Sequence, residues 1–232
     1  SSGKIAIKLS DDDKLIGVHT CEEKENDVFL STKEGKCLRF PISNVRKFSG
    51  RNSVGVRGIR LSKDDTVISM YILKHAKFSI DERNNYLKIA NSIRRKELQR
   101  SMPFSKLSKG IKIIEEKFVE MENIEEFILS VADNGFGKRS SAYEYRITSR
   151  GGKGIANMSV NKKIGKVVSS FPVNEKDDIM LIAGTGKLIR SPVNKIRISG
   201  RTTQGVTLFK VESSEKVLSA ASIKDLNISS EE

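Results

Sequence analysis

One motif recurs four times along the chain, and it decides what the chain can fold into. Gly3, Gly55, Gly154 and Gly205 are each followed, at the fourth and sixth positions, by apolar residues: Ile7 and Leu9, Ile59 and Leu61, Met158 and Val160, Phe209 and Val211. A spacing of two places both side chains on one face of a strand. A polar turn follows each pair. The chain then resumes as Lys14-Leu15-Ile16-Gly17, Thr66-Val67-Ile68-Ser69, Lys166-Val167-Val168-Ser169 and Lys216-Val217-Leu218-Ser219. Adjacent apolar residues point to opposite faces, so these short strands are expected to be covered on both sides.

Three units also carry a hairpin pattern. Val28-Phe29-Leu30 runs through Gly35 to Arg39, Phe127-Ile128-Leu129 through Gly135 to Arg139, and Ile179-Met180-Leu181 through Gly186 to Arg190. The turns Glu34-Gly35, Asn134-Gly135 and Thr185-Gly186 read as two-residue turns with both central residues at positive φ. Gly3 to Gly55 and Gly154 to Gly205 each span about 50 residues, whereas Gly55 to Gly154 spans about twice that and holds a single hairpin. About one repeat length is therefore inserted. Repeats of roughly 50 residues built from four short strands predict an all-β, propeller-like fold. The expected division is 1–74 for a partial blade and the start of the first full one, 75–125 for the insertion, 126–228 for the last two blades and 229–232 for a tail, all in one domain.

The insertion has a different texture. Ser79-Ile80-Asp81-Glu82 has the form of a capping box, which predicts a helix running towards Arg100, with Pro103 interrupting. Phe104, Leu107, Ile111, Ile114, Phe118 and Met121 then recur at helical spacing, weakened by Gly110. This reads as a solvent-exposed excursion, partly helical or disordered.

Lys and Arg number 42 against 29 Asp and Glu, a net charge of +13. That balance favours polyanions, nucleic acid first. No apolar run approaches the roughly 20 residues of a membrane span, and no leader opens the chain. Its start at Ser1-Ser2-Gly3 reads as a piece of a longer or processed protein. Cys21 and Cys37 are expected to be reduced thiols rather than a disulfide framework. His19 and His75 show no metal-ligand spacing.

The loops before the repeat glycines carry the most specific chemistry. Ser49-Gly50-Arg51-Asn52-Ser53-Val54-Gly55, Thr148-Ser149-Arg150-Gly151-Gly152-Lys153-Gly154 and Ser199-Gly200-Arg201-Thr202-Thr203-Gln204-Gly205 share small residues, an Arg and a terminal Gly. A guanidinium, hydroxyls and an approachable backbone are the parts of a phosphate contact. The hairpins add Lys36, Arg39, Lys138, Arg139, Lys187 and Arg190. The connecting segments add Arg46, Lys47, Arg146, Lys195 and Arg197. With Arg51, Arg150, Lys153 and Arg201, these form the candidate DNA-binding set, a cation row repeated once per blade along one rim. The competing reading is that each loop Arg caps carbonyls and each Gly serves a turn. Arg150 to Gly154 is not a P-loop, because no Gly-Lys-Ser/Thr follows. Trp is absent, aromatics are 6%, and no recognition helix or zinc-finger spacing occurs. Backbone binding to duplex DNA is therefore expected, with sequence preference limited to bendability.

Lys4-Ile5-Ala6-Ile7-Lys8-Leu9, Leu15-Ile16-Gly17-Val18, Gly55-Val56-Arg57-Gly58-Ile59-Arg60-Leu61, Asn134-Gly135-Phe136-Gly137-Lys138-Arg139 and Gly200-Arg201-Thr202-Thr203-Gln204-Gly205-Val206 together resemble the C-terminal β-pinwheel domain of the DNA gyrase A subunit. The related topoisomerase IV subunit is the nearest competitor. The resemblance covers the chain outside 75–125 and matches about the last three of the family's six blades. It implies a DNA-wrapping module of a bacterial, cytoplasmic, nucleoid-associated type II topoisomerase that introduces negative supercoils. The implied partners are duplex DNA, the rest of the gyrase A subunit and the gyrase B subunit, with no membrane. No cofactor is expected in this chain; the resemblance places ATP and Mg in other parts of that enzyme. None of Tyr71, Tyr86, Tyr143 and Tyr145 has a cleavage-site context, so no catalytic role is expected. Arg150-Gly151-Gly152-Lys153-Gly154 is similar to the core of the family's hallmark box, but it lacks the leading Gln and lies in a later blade, so it reads as an ordinary repeat loop. A propeller-type scaffold for an acidic protein is the rival from another class, and an independent enzyme is the least supported reading.

Overall fold

A computed structural model describes residues 3–75, 77–95, 101–212 and 215–224. The expected tail at 229–232 lies outside them. Three antiparallel sheets account for the described strands. The first joins β1 (Asn26–Thr32), β2 (Lys36–Pro41), β3 (Val67–Lys74) and β6 (Ile155–Ala156) in the order β3-β1-β2-β6. The second joins β4 (Phe127–Ala132), β5 (Phe136–Ser141), β7 (Val167–Val173) and β10 (Val206–Thr207) in the order β10-β5-β4-β7. The third holds β8 (Asp178–Ala183), β9 (Leu188–Pro192) and β11 (Val217–Ile223) in the order β11-β8-β9. The sheets are blades. β3, β7 and β11 lie at one end of each and pack successively against one another, while β6 and β10 form the opposite, outer edge.

That order contains an exchange the repeat pattern alone did not reveal. The outer strand of each four-stranded blade belongs to the following repeat. Lys36 and Cys37 pair with Ala156 and Ile155, and Val206 and Thr207 pair with Gly137 and Phe136. A cut at residue 125 would therefore sever a sheet. The pairs at the fourth and sixth positions after each glycine are not in long strands: only two residues after Gly154 and after Gly205 join a ladder, and the rest bends over the neighbouring hairpin. Residues 14–17 form no strand, and Leu15 and Ile16 are exposed.

The hairpin turns also differ from expectation. Only the glycines have positive φ (Gly35 +75°, Gly135 +79°, Gly186 +83°). The Gly135 amide donates to Ala132 O at 3.0 Å, and the same bond closes Gly35 to Thr32 and Gly186 to Ala183. Each is a type I turn followed by a left-handed glycine, whose bulge suits the strand twist.

Two apolar clusters bridge blades. Phe29 and Leu73 of the first sheet meet Ile128 and Tyr145 of the second. Leu129, Phe171 and Val173 meet Ile179, Leu181 and Val217 of the third. Buried serines fix the spacing of the inner strands: Ser69 Oγ accepts from Ser170 N at 3.0 Å, and its repeat equivalent, Ser169 Oγ, accepts from Ala220 N at 3.1 Å. Asn157, fully buried, knots the swap to the core. Its Nδ2 faces Ser31, Ser130 and Ser170 Oγ at 3.0–3.2 Å, and its Oδ1 accepts from Tyr145 OH at 2.9 Å. Cys21 is exposed, Cys37 is buried and both are free thiols; burial pushes the Cys37 thiol up to about 12.

The insertion is more compact than a solvent-exposed excursion. Ser79 and Glu82 cap α1 (Ile80–Arg95) reciprocally: Ser79 N donates to Glu82 Oε2 at 2.7 Å and Glu82 N to Ser79 Oγ at 3.2 Å. The second helical period breaks into α2 (Phe104–Leu107) and α3 (Glu115–Asn123), with Gly110 at φ +75° between them. Tyr86, Ile89, Phe118 and Met121 form a buried core that takes in Tyr143 of the second repeat. Tyr143 meets Tyr86 edge-on at 5.3 Å and donates to Met121 O at 2.9 Å. Where the insertion ends, the Glu126 carboxylate accepts from Lys74 N at 2.9 Å and Glu126 O accepts from Ala142 N. Its entry and exit thus lie side by side.

Gly135→Ala tests the exchange. A Cβ there would sit 2.0 Å from Phe209 O, on top of the positive-φ strain, whereas at Gly186 nothing lies within 4 Å. Urea unfolding is expected to show a loss of roughly 3 kcal/mol for Gly135→Ala and about 1 kcal/mol for Gly186→Ala. Asn157→Leu, which removes the amide joining Ser31, Ser130 and Ser170 to Tyr145 and takes the acceptor from the buried Tyr145 OH, is expected to cost about 3 kcal/mol in the same experiment.

Candidate nucleic-acid interface

The predicted cations divide into buried struts, paired surface charges and free perimeter charges. Three of them are struts. Arg39 stands opposite Phe29, with 2% of its surface exposed. Its Nε donates to buried Asp27 at 2.7 Å, its Nη1 to Ala142 O at 2.9 Å and its Nη2 to Lys74 O at 2.7 Å. Arg139, 5% exposed, occupies the equivalent place in the next blade. It donates to Ile196 O at 2.6 Å, Asn194 O at 3.3 Å and Glu175 Oε1 at 3.1 Å. Arg139 satisfies two carbonyls of the following blade, whereas Arg39 bridges Lys74 O of its own blade to Ala142 O of the next. Desolvation lowers the Arg139 pKa, an effect that Glu175 opposes. Lys138 has no exposed surface, and its Nζ donates to Ser140 Oγ (2.9 Å), Arg201 O (2.7 Å) and Gly200 O (3.3 Å). Arg39, Lys138 and Arg139 are thus removed from the candidate DNA-binding set: as hairpin cations they were expected on the rim, but both faces of these strands are covered and the three side chains are buried.

Arg190, the third member of the Arg39 series, is 65% exposed and paired with Asp178 at 2.6 Å, with no following blade against it among the described residues. Lys187 is held by Glu212 (3.2 Å) and Glu215 (3.6 Å), and Lys47 by Glu23 (2.6 Å). Lys36 Nζ reaches Ser62 Oγ at 3.4 Å.

The loop arginines lie between strut and free charge. Arg150 donates from Nε to Asn44 O at 3.1 Å and from Nη1 to Arg57 O at 2.7 Å. Arg201 Nη1 donates to Ala156 O, the repeat equivalent of Arg57 O, and its backbone N–H donates to Glu144 Oε2 at 2.6 Å. Both clip their loop onto the preceding repeat while remaining partly exposed. Gly154 serves close approach, since a Cβ would stand 2.6 Å from Cys37 O.

Arg46, Arg51, Arg146, Lys153, Lys195 and Arg197 are exposed. Arg46 lies over the Phe48 ring at 5.4 Å; the other five have no charged partner among the described residues. Arg146, Lys153, Lys195 and Arg197 stand in the segments that feed the outer strands β6 and β10, so their free positive charge follows the outer perimeter; Arg46 and Arg51 hold the equivalent places in the first repeat, where no described outer strand follows. Arg57 and Arg60, also exposed, were not among the predicted cations, because 55–61 was read only for its apolar pair. Arg60, between Ile59 and Leu61, was legible as a polar position of that alternation; Arg57, in phase with Ile59, was not. Among the described residues, no three His, Cys, Asp or Glu side chains are placed to hold a metal ion, and no helix is long and apolar enough to cross a membrane.

A set of strand-exchanged blades with a cationic outer edge defines a propeller-type module. The family model described as DNA gyrase C-terminal domain, beta-propeller, matches residues 1–22, 26–74, 126–174 and 177–224, and the chain belongs to that family. The four matched stretches leave out the helical insertion. The chain is 50% identical over its whole length to the DNA gyrase A subunit of Rickettsia bellii (strain RML369-C), and 33% identical over 94% of its length to that of Escherichia coli (strain K12). It spans 25% and 19% of those relatives. In fold it is similar to a solved DNA gyrase A C-terminal domain (TM-score 0.66, 22% identity, 96% of this chain and 58% of that one) and to the C-terminal domain of DNA topoisomerase IV (TM-score 0.67, 19% identity, 94% and 53%).

Lys138 gives this site a pH signature. Burial lowers its pKa to about 8, while the unfolded chain holds the proton to about 10.4. Between these values the unfolded state binds more protons, so the contribution of Lys138 to stability rises with pH across this window and is flat below it. Its share is expected to be about 2 kcal/mol between pH 7.5 and pH 10, read by chemical unfolding as the difference between wild type and Lys138→Met, because the buried Cys37 thiol, which ionises first in the unfolded chain, acts in the opposite sense over the same range.

Proposed function

We propose that this chain is the DNA-binding and DNA-wrapping region of a DNA gyrase A subunit. The observation that carries this reading is the free positive charge of Arg51, Arg146, Lys153, Lys195 and Arg197 along the outer perimeter, while the inward cations are consumed as struts. A perimeter row lets duplex DNA contact successive blades, each contact releasing counterions and offsetting the cost of bending. Arg46, Arg57, Arg60 and the exposed parts of Arg150 and Arg201 extend the row. Lys36, Lys47, Lys187 and Arg190 lie nearby, with acidic or hydroxyl partners that DNA phosphates would replace.

In this reading the chain performs no chemistry. It acts with the rest of the gyrase A subunit and with the gyrase B subunit in a cytoplasmic, nucleoid-associated bacterial topoisomerase, whose ATP and Mg are bound in those other parts. Wrapping biases strand passage towards negative supercoils. Sequence likeness supports gyrase over topoisomerase IV, to which the likeness is one of fold.

A salt titration of binding to a duplex of about 40 base pairs tests the reading, beside the triple variant Arg51→Gln, Lys153→Gln and Arg197→Gln. These side chains make no hydrogen bond among the described residues, so folding is expected to be unchanged. Wild-type affinity is expected to fall steeply with salt, and the triple variant to lose about 2–3 from the log–log slope, at about 0.9 per phosphate contact. A wild type that does not bind, or a variant with unchanged slope, would sink the reading and favour an acidic protein partner.

A further inference from the structure

We infer that helix α1 of the insertion forms one wall of a second DNA-backbone site, whose other wall is the perimeter of the second blade. This inference rests on the DNA-binding reading above and adds a segment outside the stretches matched by the family model.

Asn84, Lys88, Asn91 and Arg95 fall at successive helical turns of α1 and form one stripe. Lys88 and Arg95 are exposed. The stripe carries hydrogen-bond donors and two cations, and no carboxylate between Asn84 and Arg95. A surface stripe alone would be a solvated face, but this one borders two clefts that open against the blade. A cleft of about 370 Å³ lies between Asn84 and Asn91 of the helix and Arg146, Gly200 and Arg201 of the second and third repeats. A cleft of about 300 Å³ lies between Asn91 and Arg95 and the segment from Arg197 to Val206. They share Asn91 and Gly200, so the helix and the perimeter loop face each other along a continuous groove.

The charge inside that groove is unbalanced. Arg83 lines the first cleft, is 6% exposed, and its buried Nη1 has no hydrogen-bond acceptor among the described residues. Glu144, which accepts the Arg201 N–H at 2.6 Å, is the one carboxylate lining this cleft, against the three guanidinium groups of Arg83, Arg146 and Arg201. A recess lined by three guanidinium groups against one carboxylate, with an unfilled donor at its base and exposed cations on both rims, favours a chain of anions over a single carboxylate. From Asn84 to Arg95 the stripe spans roughly 16 Å at 1.5 Å per residue, about five phosphates of one strand at 3.4 Å of axial rise each. The docking of α1 through Tyr86 and Tyr143 holds that wall at a fixed distance from the blade.

The test is the same titration with Lys88→Gln plus Arg95→Gln, run beside wild type and the perimeter triple variant, with thermal unfolding as the control on folding. The expected result is unchanged unfolding, affinity about tenfold weaker near 0.1 M salt, and a slope reduced by about 2. If wild type and the triple variant behave as the DNA reading requires but the α1 variant binds with unchanged slope, this inference falls and the DNA reading stands, leaving the groove to an acidic protein. If wild type does not bind duplex DNA, both fall together.

Discussion

Two carbonyl oxygens hold the repeats in sequence. Gly35 O accepts from Asn157 N and Met158 N, and Gly135 O accepts from Leu208 N and Phe209 N. In each case the tip of one repeat's hairpin is hydrogen-bonded by the two residues that follow the outer strand supplied by the next repeat. The turn must bring its carbonyl to that strand without a side chain in the way, which is why the bulge position is glycine. From this follow the exchanged fourth strand, the placement of Asn157 in a serine-lined core, and the position of the basic loops, which are the segments that lead into the exchanged strands. The blade is thus a unit of shape but not of covalent sequence.

The same exchange sorts the charge. An arginine in the middle of a hairpin strand is consumed at the junction with the following blade, as Arg39 and Arg139 are, each donating to at least one carbonyl of that blade. A cation in a connecting loop is carried past the last ladder pair and stays in water. Two lists of cations identical in sequence texture therefore end in opposite environments. Arg39 is the better placed strut, since Asp27 compensates it inside the protein. Arg139 has Phe127 where the first blade has Asp27, its guanidinium lying 5.7 Å from that ring, and relies on Glu175 at the surface. A buried cation of this kind stabilises chiefly by satisfying carbonyls that would otherwise be stranded.

The fold was legible because its signals were local: turn glycines, alternation within hairpins and a repeat length near 50 residues. The capping box of α1 was legible for the same reason, being complete within Ser79–Glu82. The partner of each outer strand was not legible, because a ladder of two residues between segments over a hundred positions apart, as between Lys36 and Ala156, leaves no periodicity of its own. The hairpin turns were misread in type because Glu34, Asn134 and Thr185 do not require positive φ; only the three-residue geometry, set by the strand twist, tells the two forms apart. Of the site, the loop cations were legible and the buried ones were misassigned. Arg139 and Lys138 look like solvent-facing residues in sequence, and nothing short of the neighbouring blade reveals the carbonyls that claim them.

The insertion leaves after Lys74 and returns at Glu126, and the carboxylate of Glu126 grips the Lys74 amide across the gap. Its two ends are therefore pinned by the blades themselves, whatever lies between. Loop-closure entropy grows only logarithmically with length, by about 0.6 kcal/mol per doubling, so this junction acts as a port. Material can be lengthened, trimmed or replaced there over evolutionary time without shifting a ladder register or a perimeter loop. A rigid repeat array that cannot vary its blades independently thus keeps one address at which new sequence can be tried.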